Sequence, residues 1–371
     1  MSLQSTLSNK AINRAGRVLV RADADPAERE GALQAVNEWR GSFFFPLRVI
    51  SGWLEHSSKR VNEKALVSRR LKRMESIVTK LGRPGGVKNL STMQDIGGCR
   101  VILPTLADVV LLQEQNTSLR DSGTFSSIDD YISIPKPDGY RSLHVVAPYR
   151  SGNPKYAAWS GRKIEVQVRT SLQHAWATAV ETVDLFSGQQ LKIGGGDQQW
   201  RRFFALASSV FALEEGAPLV PGTPTDKDFL KKELADLWES LHVVDVMNGW
   251  AFAINYLPNL LSARHVSGAD LSIFLITVDV DVQRLQVNAY SQDELAIADH
   301  RYSLLEEEIR NGRKSHTVLV AVDELKNLRE AYPNFYADTT DFIQRIGQFI
   351  DSYPGRAILQ SWEPSRNPRG T

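Results

Sequence analysis

From residue 163 to 169 the chain reads KIEVQVR, with Ile164, Val166 and Val168 alternating against Glu165, Gln167 and Arg169. A period of two predicts a strand with one buried and one polar face. Upstream, Val67, Leu71, Met74, Val78 and Leu81 recur at spacings of four, three, four and three, a single apolar stripe that predicts a helix over 61–82, closed by RPGG at 83–86. Residues 27–55 are also expected to be helical, interrupted at Pro46. Strands are predicted near 97–103 (GGCRVIL) and 141–149 (RSLHVVAPY), with helices at 105–119 and over TSLQHAWATAVETVDLF. Together these predict a mixed β-sheet flanked by helices, in the α+β or α/β class, with one polar strand face turned towards a site.

The stretch LKIGGGDQQ at 191–199 is the sharpest compositional break, so residues 1–190 and 191–371 are expected to form separate domains. The second half predicts helices at 200–214 and 226–256, joined by EGAPLVPGTPT. Strands follow at 271–280 and 283–290, a helix at 292–311, a strand at 316–322 and helices at 323–331 and 338–351. That is a C-terminal α+β domain, ending in a tail, PSRNPRGT, expected to be disordered.

Composition narrows this picture in three ways. A chain of 371 residues that is 42% hydrophobic can bury two moderate cores. It has no run approaching the roughly 18 apolar residues of a membrane span, and MSLQSTLSNKAINRAGRV lacks the apolar centre of a signal peptide, so a cytoplasmic protein without a membrane partner is expected. The lone Cys99, in IGGCRVIL, can form no internal disulfide and reads as buried and inert. Net charge is +1, but residues 1–190 hold 26 Lys and Arg against 18 Asp and Glu, while residues 191–371 hold 18 against 25. A basic half suits phosphate-bearing ligands; two solvated surfaces of different composition would give the same counts.

The candidate chemistry sits in that basic half. Asp95, just before a strand, and Glu165, mid-strand, are carboxylates that can converge on a Mg²⁺ held against nucleotide phosphates, and Glu165 could accept a proton from an attacking hydroxyl. Against this, an Asp before Gly-Gly commonly caps its own backbone, and Glu165 could lie on a solvated strand face. Arg70, Lys72, Arg73, Arg100, Lys136, Arg141 and Arg169 could neutralise a polyphosphate or stack on a purine. The chain has neither GxxxxGK[ST] nor GxGxxG after a strand, and no HExxH, cysteine pair or His-Asp dipeptide. His174, on an Ala- and Trp-rich helix, reads as a structural histidine. In DYISIPKPDGYRSLH, 130–144, Pro135, Pro137 and Gly139 restrict the backbone and permit a tight turn.

Taken in order, SRRLKRMESIVTKL, MQDIGGCRVIL, DYISIPKPDGYRSLH and KIEVQVRTSLQHAWA resemble the synthetase domain of the RelA/SpoT family, over roughly residues 58–185. The resemblance implies a nucleotidyltransferase-like fold and transfer of pyrophosphate from ATP to a ribose 3′-hydroxyl. It further implies Arg70, Lys72, Lys80 and Arg100 at ATP, and Asp95 and Glu165 as Mg²⁺ ligands, with Glu165 the base. Tyr140 would stack on the acceptor base, and Lys136, Arg141, Ser142, His144 and Gln167 would position the acceptor. Where bifunctional members have R-x-K-D before the tyrosine, this chain has SIDDY, with Ser127 and Asp129 at the basic positions. HAWATAVETVD and the size of the C-terminal extension look most like the fused toxin–antitoxin (CapRel-like) branch of the family's toxic small members. That likeness implies a tRNA 3′-CCA end as acceptor in place of GDP or GTP, and a C-terminal half that restrains the enzyme until a phage protein triggers it. A nucleotide-binding regulator without turnover is the non-enzymatic alternative.

Overall fold

The computed structural model describes residues 7–115, 127–187, 197–248, 271–279, 284–313, 315–321 and 335–351. They form two compact units: residues 1–133 with 142–171, and residues 134–141 with 172–371. The division therefore runs through the proline-rich loop and past the alternating strand, and differs from a single cut at 190.

The first unit contains helices α1 (Asn9–Val20), α2 (Pro26–Gly41), α3 (Phe44–Val61), α4 (Met74–Gly82) and α5 (Leu106–Gln115). Its strands are β1 (Leu66–Leu71), β2 (Gly97–Leu103), β3 (Ser127–Asp130), β4 (Leu143–Pro148) and β5 (Lys163–Thr170). They form one sheet in the order β1-β2-β5-β4-β3. The pair β2–β5 is parallel and the other pairs are antiparallel, so the sheet is mixed, as expected. The alternating KIEVQVR segment is its central strand. Ile164, Val166 and Val168, with Cys99, Val101 and Leu103 of β2, are buried in the core beneath the helices. Burial pushes the Cys99 thiol up to about 12, which suppresses the thiolate and keeps it inert, as read from the sequence.

One helix expectation fails. The stripe from Val67 to Leu81 is not a single helix: residues 66–71 pair antiparallel with β2, from Leu66 opposite Ile102 to Leu71 opposite Gly97, and only Met74–Gly82 is helical. Residues i and i+4 share a face in a strand as well as in a helix, so the Val67/Leu71 pair fits either period. The ladder with β2 decides for the strand. The break near Pro46 falls earlier, at Ser42–Phe43, and Pro46 sits in the first turn of α3, where its missing N–H costs nothing. Strand β3 and helix α1 lacked a sequence signal.

The second unit contains α6 (Ser171–Ser187, whose first residue belongs to the first unit), α7 (Gln198–Glu215), α8 (Lys227–Ser240), α9 (Leu295–Arg310) and α10 (Phe335–Phe349). Strands β6 (Leu271–Asp279), β7 (Arg284–Ser291) and β8 (Ser315–Ala321) form an antiparallel sheet ordered β7-β6-β8, the expected α+β half. Helix α7 runs through the middle of a core built around Trp200, Phe203, Phe204, Phe211, Trp238 and Phe342. The helix expected over 226–256 breaks at Leu241–His242, where His242 takes a φ of 48°, and turns helical again from 243 to 248. The helix expected at 323–331, the glycine run within 191–196 and the C-terminal tail lie outside the described residues. Among the described residues, no helix is long and apolar enough to cross a membrane.

Candidate active site

The polar face of the five-stranded sheet carries Arg70, Arg100, His144, Glu165 and Gln167, and strand register places them in two rungs. Arg70 lies opposite Gly98, Gly98 opposite Glu165, and Glu165 opposite Val146. Two residues along, Ser68, Arg100, Gln167, His144 and Asp129 follow one another across all five strands. Residues paired in register point to the same side of a sheet, so these side chains share the face opposite the core. Gly98, between Arg70 and Glu165, leaves room: a Cβ there would meet nothing closer than the Glu165 carbonyl oxygen at 4.0 Å.

Asp95 enters this site from the loop before β2. The backbone N–H of Lys72, just past β1, donates to the Ile96 carbonyl at 2.7 Å, which sets Lys72 alongside the aspartate. Lys72 Nζ then donates to Asp95 Oδ2 at 2.9 Å, and Lys80 Nζ, from α4, donates to the same oxygen at 2.8 Å. The other oxygen, Oδ1, is buried without a hydrogen-bond partner. Burial alone would raise the carboxyl; the Lys72 charge, the hydrogen bonds from both lysines and the Lys80 charge outweigh it and hold Asp95 below its ordinary value.

Glu165 is fixed from both sides. Gln167 Nε2 donates to Oε2 at 3.0 Å, and His144 Nδ1 stands 3.5 Å from Oε1. Burial raises its carboxyl and so does the nearby Asp95 charge, but the His144 contact and charge together with the Gln167 hydrogen bond leave it below the ordinary value. Glu165 is therefore a carboxylate at neutral pH. The effect of the Asp95 charge on Glu165 marks the two acids as neighbours. Arg169, nearly fully buried, donates to Gln167 Oε1 at 2.9 Å and so fixes which end of that amide faces Glu165. The alternation puts Arg169 on this face, among the cations that could meet a polyphosphate or a purine; here its guanidinium is spent on the Gln167 amide.

A pair of carboxylates, one with an unpartnered buried oxygen, fits a hard divalent cation such as Mg²⁺, which takes oxygen ligands and completes its shell with waters and substrate phosphates. Asp95 and Glu165 would hold it. Among the described residues no cluster of three or more His, Cys, Asp or Glu side chains could form an all-protein cage.

The remaining acceptor candidates divide between the units. Ser142, His144 and Gln167 belong to the first; the buried Ser142 hydroxyl donates to the Val168 carbonyl at 3.1 Å, and the edge-to-face Tyr131 ring lies 5.2 Å from His144. Lys136, Tyr140 and Arg141 belong to the second. There Gly139 N–H donates to the Lys136 carbonyl at 2.9 Å and Tyr140 N–H to Asp138 Oδ1 at 2.9 Å, a tight turn of the kind the sequence predicts. Lys136 Nζ sits 5.1 Å above the Tyr140 ring. Arg141 is buried, its Nε donating to Ser208 Oγ at 3.1 Å and another nitrogen to the Pro218 carbonyl; burial lowers its pKa to about 10. No local pattern announced Ser208 or Pro218, which lie 67 and 77 residues from Arg141.

These rungs fall within a segment with recognisable relatives. Residues 69–184 match the model of a region found in RelA / SpoT proteins. Every candidate from Arg70 to Gln167 lies inside this matched segment. The GTP pyrophosphokinase YwaC of Bacillus subtilis is 35% identical over 116 residues, covering 29% of this chain and 52% of that protein. The GTP pyrophosphokinase YjbM of the same bacterium is 34% identical over 118 residues, covering 30% and 52%. The chain thus spans about half the length of the curated relatives it matches. Among solved structures, small alarmone synthetase 2 from Bacillus subtilis is similar at a TM-score of 0.40 and 24% identity, over 48% of this chain and 94% of that one.

Proposed function

We propose that the protein is an ATP-dependent pyrophosphokinase of the RelA/SpoT type. It would transfer the β,γ-diphosphate of ATP to a ribose 3′-hydroxyl. The observation that carries this is Asp95, bound by Lys72 and Lys80 in the loop before β2, together with the ionised Glu165 on the polar sheet face, both inside the segment matched to RelA/SpoT proteins. In this reading Glu165 takes the proton of the 3′-hydroxyl. The oxygen attacks the β-phosphorus, the bond from that phosphorus to the α,β-bridging oxygen breaks, and AMP leaves. Lys72, Lys80, Arg70 and Arg100 neutralise the phosphates, and the reaction relies on positioning and charge more than on covalent help. A Mg²⁺ held by Asp95 and Glu165 supplies further neutralisation of the phosphates when bound.

For the acceptor, the two GTP pyrophosphokinase relatives support GDP or GTP. A second reading, the 3′-terminal adenosine of tRNA with a resulting block on translation, is favoured by one feature. Asp129 is exposed directly across from His144, where a carboxylate disfavours the di- or triphosphate tail of a free nucleotide. Incubating the full chain with β-labelled ATP, with GDP, GTP and deacylated tRNA in separate reactions, tests both. Label in a guanine nucleotide alone supports the first acceptor, label in tRNA alone the second, and AMP-coupled transfer to neither refutes the proposal.

A further inference from the structure

The loop carrying Tyr140 is held by residues far along the chain. Ser208, buried in the middle of α7, donates its hydroxyl to the Gly139 carbonyl at 2.6 Å and accepts from Arg141 Nε at 3.1 Å. One hydroxyl thus ties the residues on either side of Tyr140. Arg141, 3% exposed, sends a further N–H to the Pro218 carbonyl just beyond α7. Gly139 has a φ of +94°, and a Cβ built on it would stand 2.9 Å from the Trp176 ring and 3.0 Å from the Phe204 carbonyl oxygen and Ser208 Cβ. The turn therefore needs glycine for its dihedral and for the backbone of α7 pressed against it. An arginine meant for an incoming phosphate would present its donors to solvent; Arg141 gives Nε and one terminal nitrogen to protein acceptors, and its other terminal nitrogen is buried without a partner.

We propose that Ser208 and Arg141 are positioning residues for the acceptor. They set the turn at Gly139 and with it the plane of the Tyr140 ring, so that acceptor binding depends on helix α7, outside the RelA/SpoT segment. This rests on the reading of Tyr140 as the stacking face for the acceptor base. It differs from the expectation that Arg141 itself grips the acceptor, and it gives the C-terminal half a constructive part in the site.

The test uses the full chain and two readouts, steady-state constants for ATP and for whichever acceptor the wild type uses, and hydrogen exchange of residues 136–141. Ser208→Ala should raise the acceptor KM by about tenfold, with the ATP KM and kcat within about threefold. Exchange in the loop should quicken by about tenfold, with exchange elsewhere unchanged. If Ser208→Ala does not fold, Gly139→Ala reads the same split. Arg141→Lys should be as damaging as Arg141→Gln and leave the salt dependence of the acceptor KM unaltered. A direct phosphate contact would instead be largely rescued by Lys, with a shallower salt dependence in Gln. Quicker loop exchange with an unchanged acceptor KM, or equal rises in both KM values, would overturn the positioning role. A wild-type chain that transfers to no acceptor refutes the proposed function itself, while the exchange data still judge the clamp separately.

Discussion

The carboxylate centre and the Tyr140 loop are built by opposite means. Around Asp95 and Glu165, strand register does the placing: β1, β2, β4 and β5 set Arg70, Arg100, His144, Glu165 and Gln167 by backbone ladders, and the parts lie between residues 70 and 167. In the loop, two hydroxyl hydrogen bonds and one close backbone approach from α7 fix a turn that has no ladder of its own. A ladder-held group is rigid by shared bonds, so changing one side chain removes chemistry and leaves geometry. A loop held by a few side-chain hydrogen bonds loses geometry first.

Substitutions can break this contrast, the largest effect coming from the carboxylate centre. Glu165→Gln should cut kcat by about 10³-fold, since it would remove the proposed general base and a proposed metal ligand while keeping the side chain's shape; single-turnover kinetics with labelled ATP would read this. Asp95→Asn should reduce kcat/KM by about 100-fold and weaken ATP binding, seen by calorimetry with ATP and Mg²⁺.

Asp95 also carries a pH signature. Its folded carboxyl lies below the ordinary 3.8, so its contribution to stability is complete above that pH and is lost as pH falls through the lower folded value. Thermal melts of the wild type should therefore lose stability on acidification below about pH 4, and the loss should be smaller in Asp95→Asn. Gly139→Ala comes next, with a cost of about 1–3 kcal/mol for an L-residue at that φ and a raised acceptor KM at constant ATP KM. The smallest change should follow Gln167→Ala, about tenfold in kcat, because His144 still holds the other oxygen of Glu165.

Legibility in the sequence followed the same divide. The strict alternation of KIEVQVR and the apolar GGCRVIL strand predict the central strands, and with them the polar face, because a period of two maps directly onto side-chain direction. Residues 66–71 are ambiguous in the sequence because their apolar pair at i and i+4 suits both periods, and only pairing with β2 distinguishes them. The tight turn at Gly139 was legible from its prolines and glycine. Its anchor was not, since a serine on a helix some 70 residues downstream leaves no periodic or compositional trace. The coupling of His144 to Glu165 was also invisible, because cross-strand neighbours emerge only once register is known.

The chemistry proposed for this sheet face is the movement of a diphosphate. The direct measurement is the adenine product formed when the full chain turns over ATP with an acceptor, resolved by chromatography with β-label followed in parallel. AMP is expected, formed in step with β-label entering the acceptor, with both slowed about 10³-fold in Glu165→Gln. ADP as the product, or AMP without labelled acceptor, would contradict it.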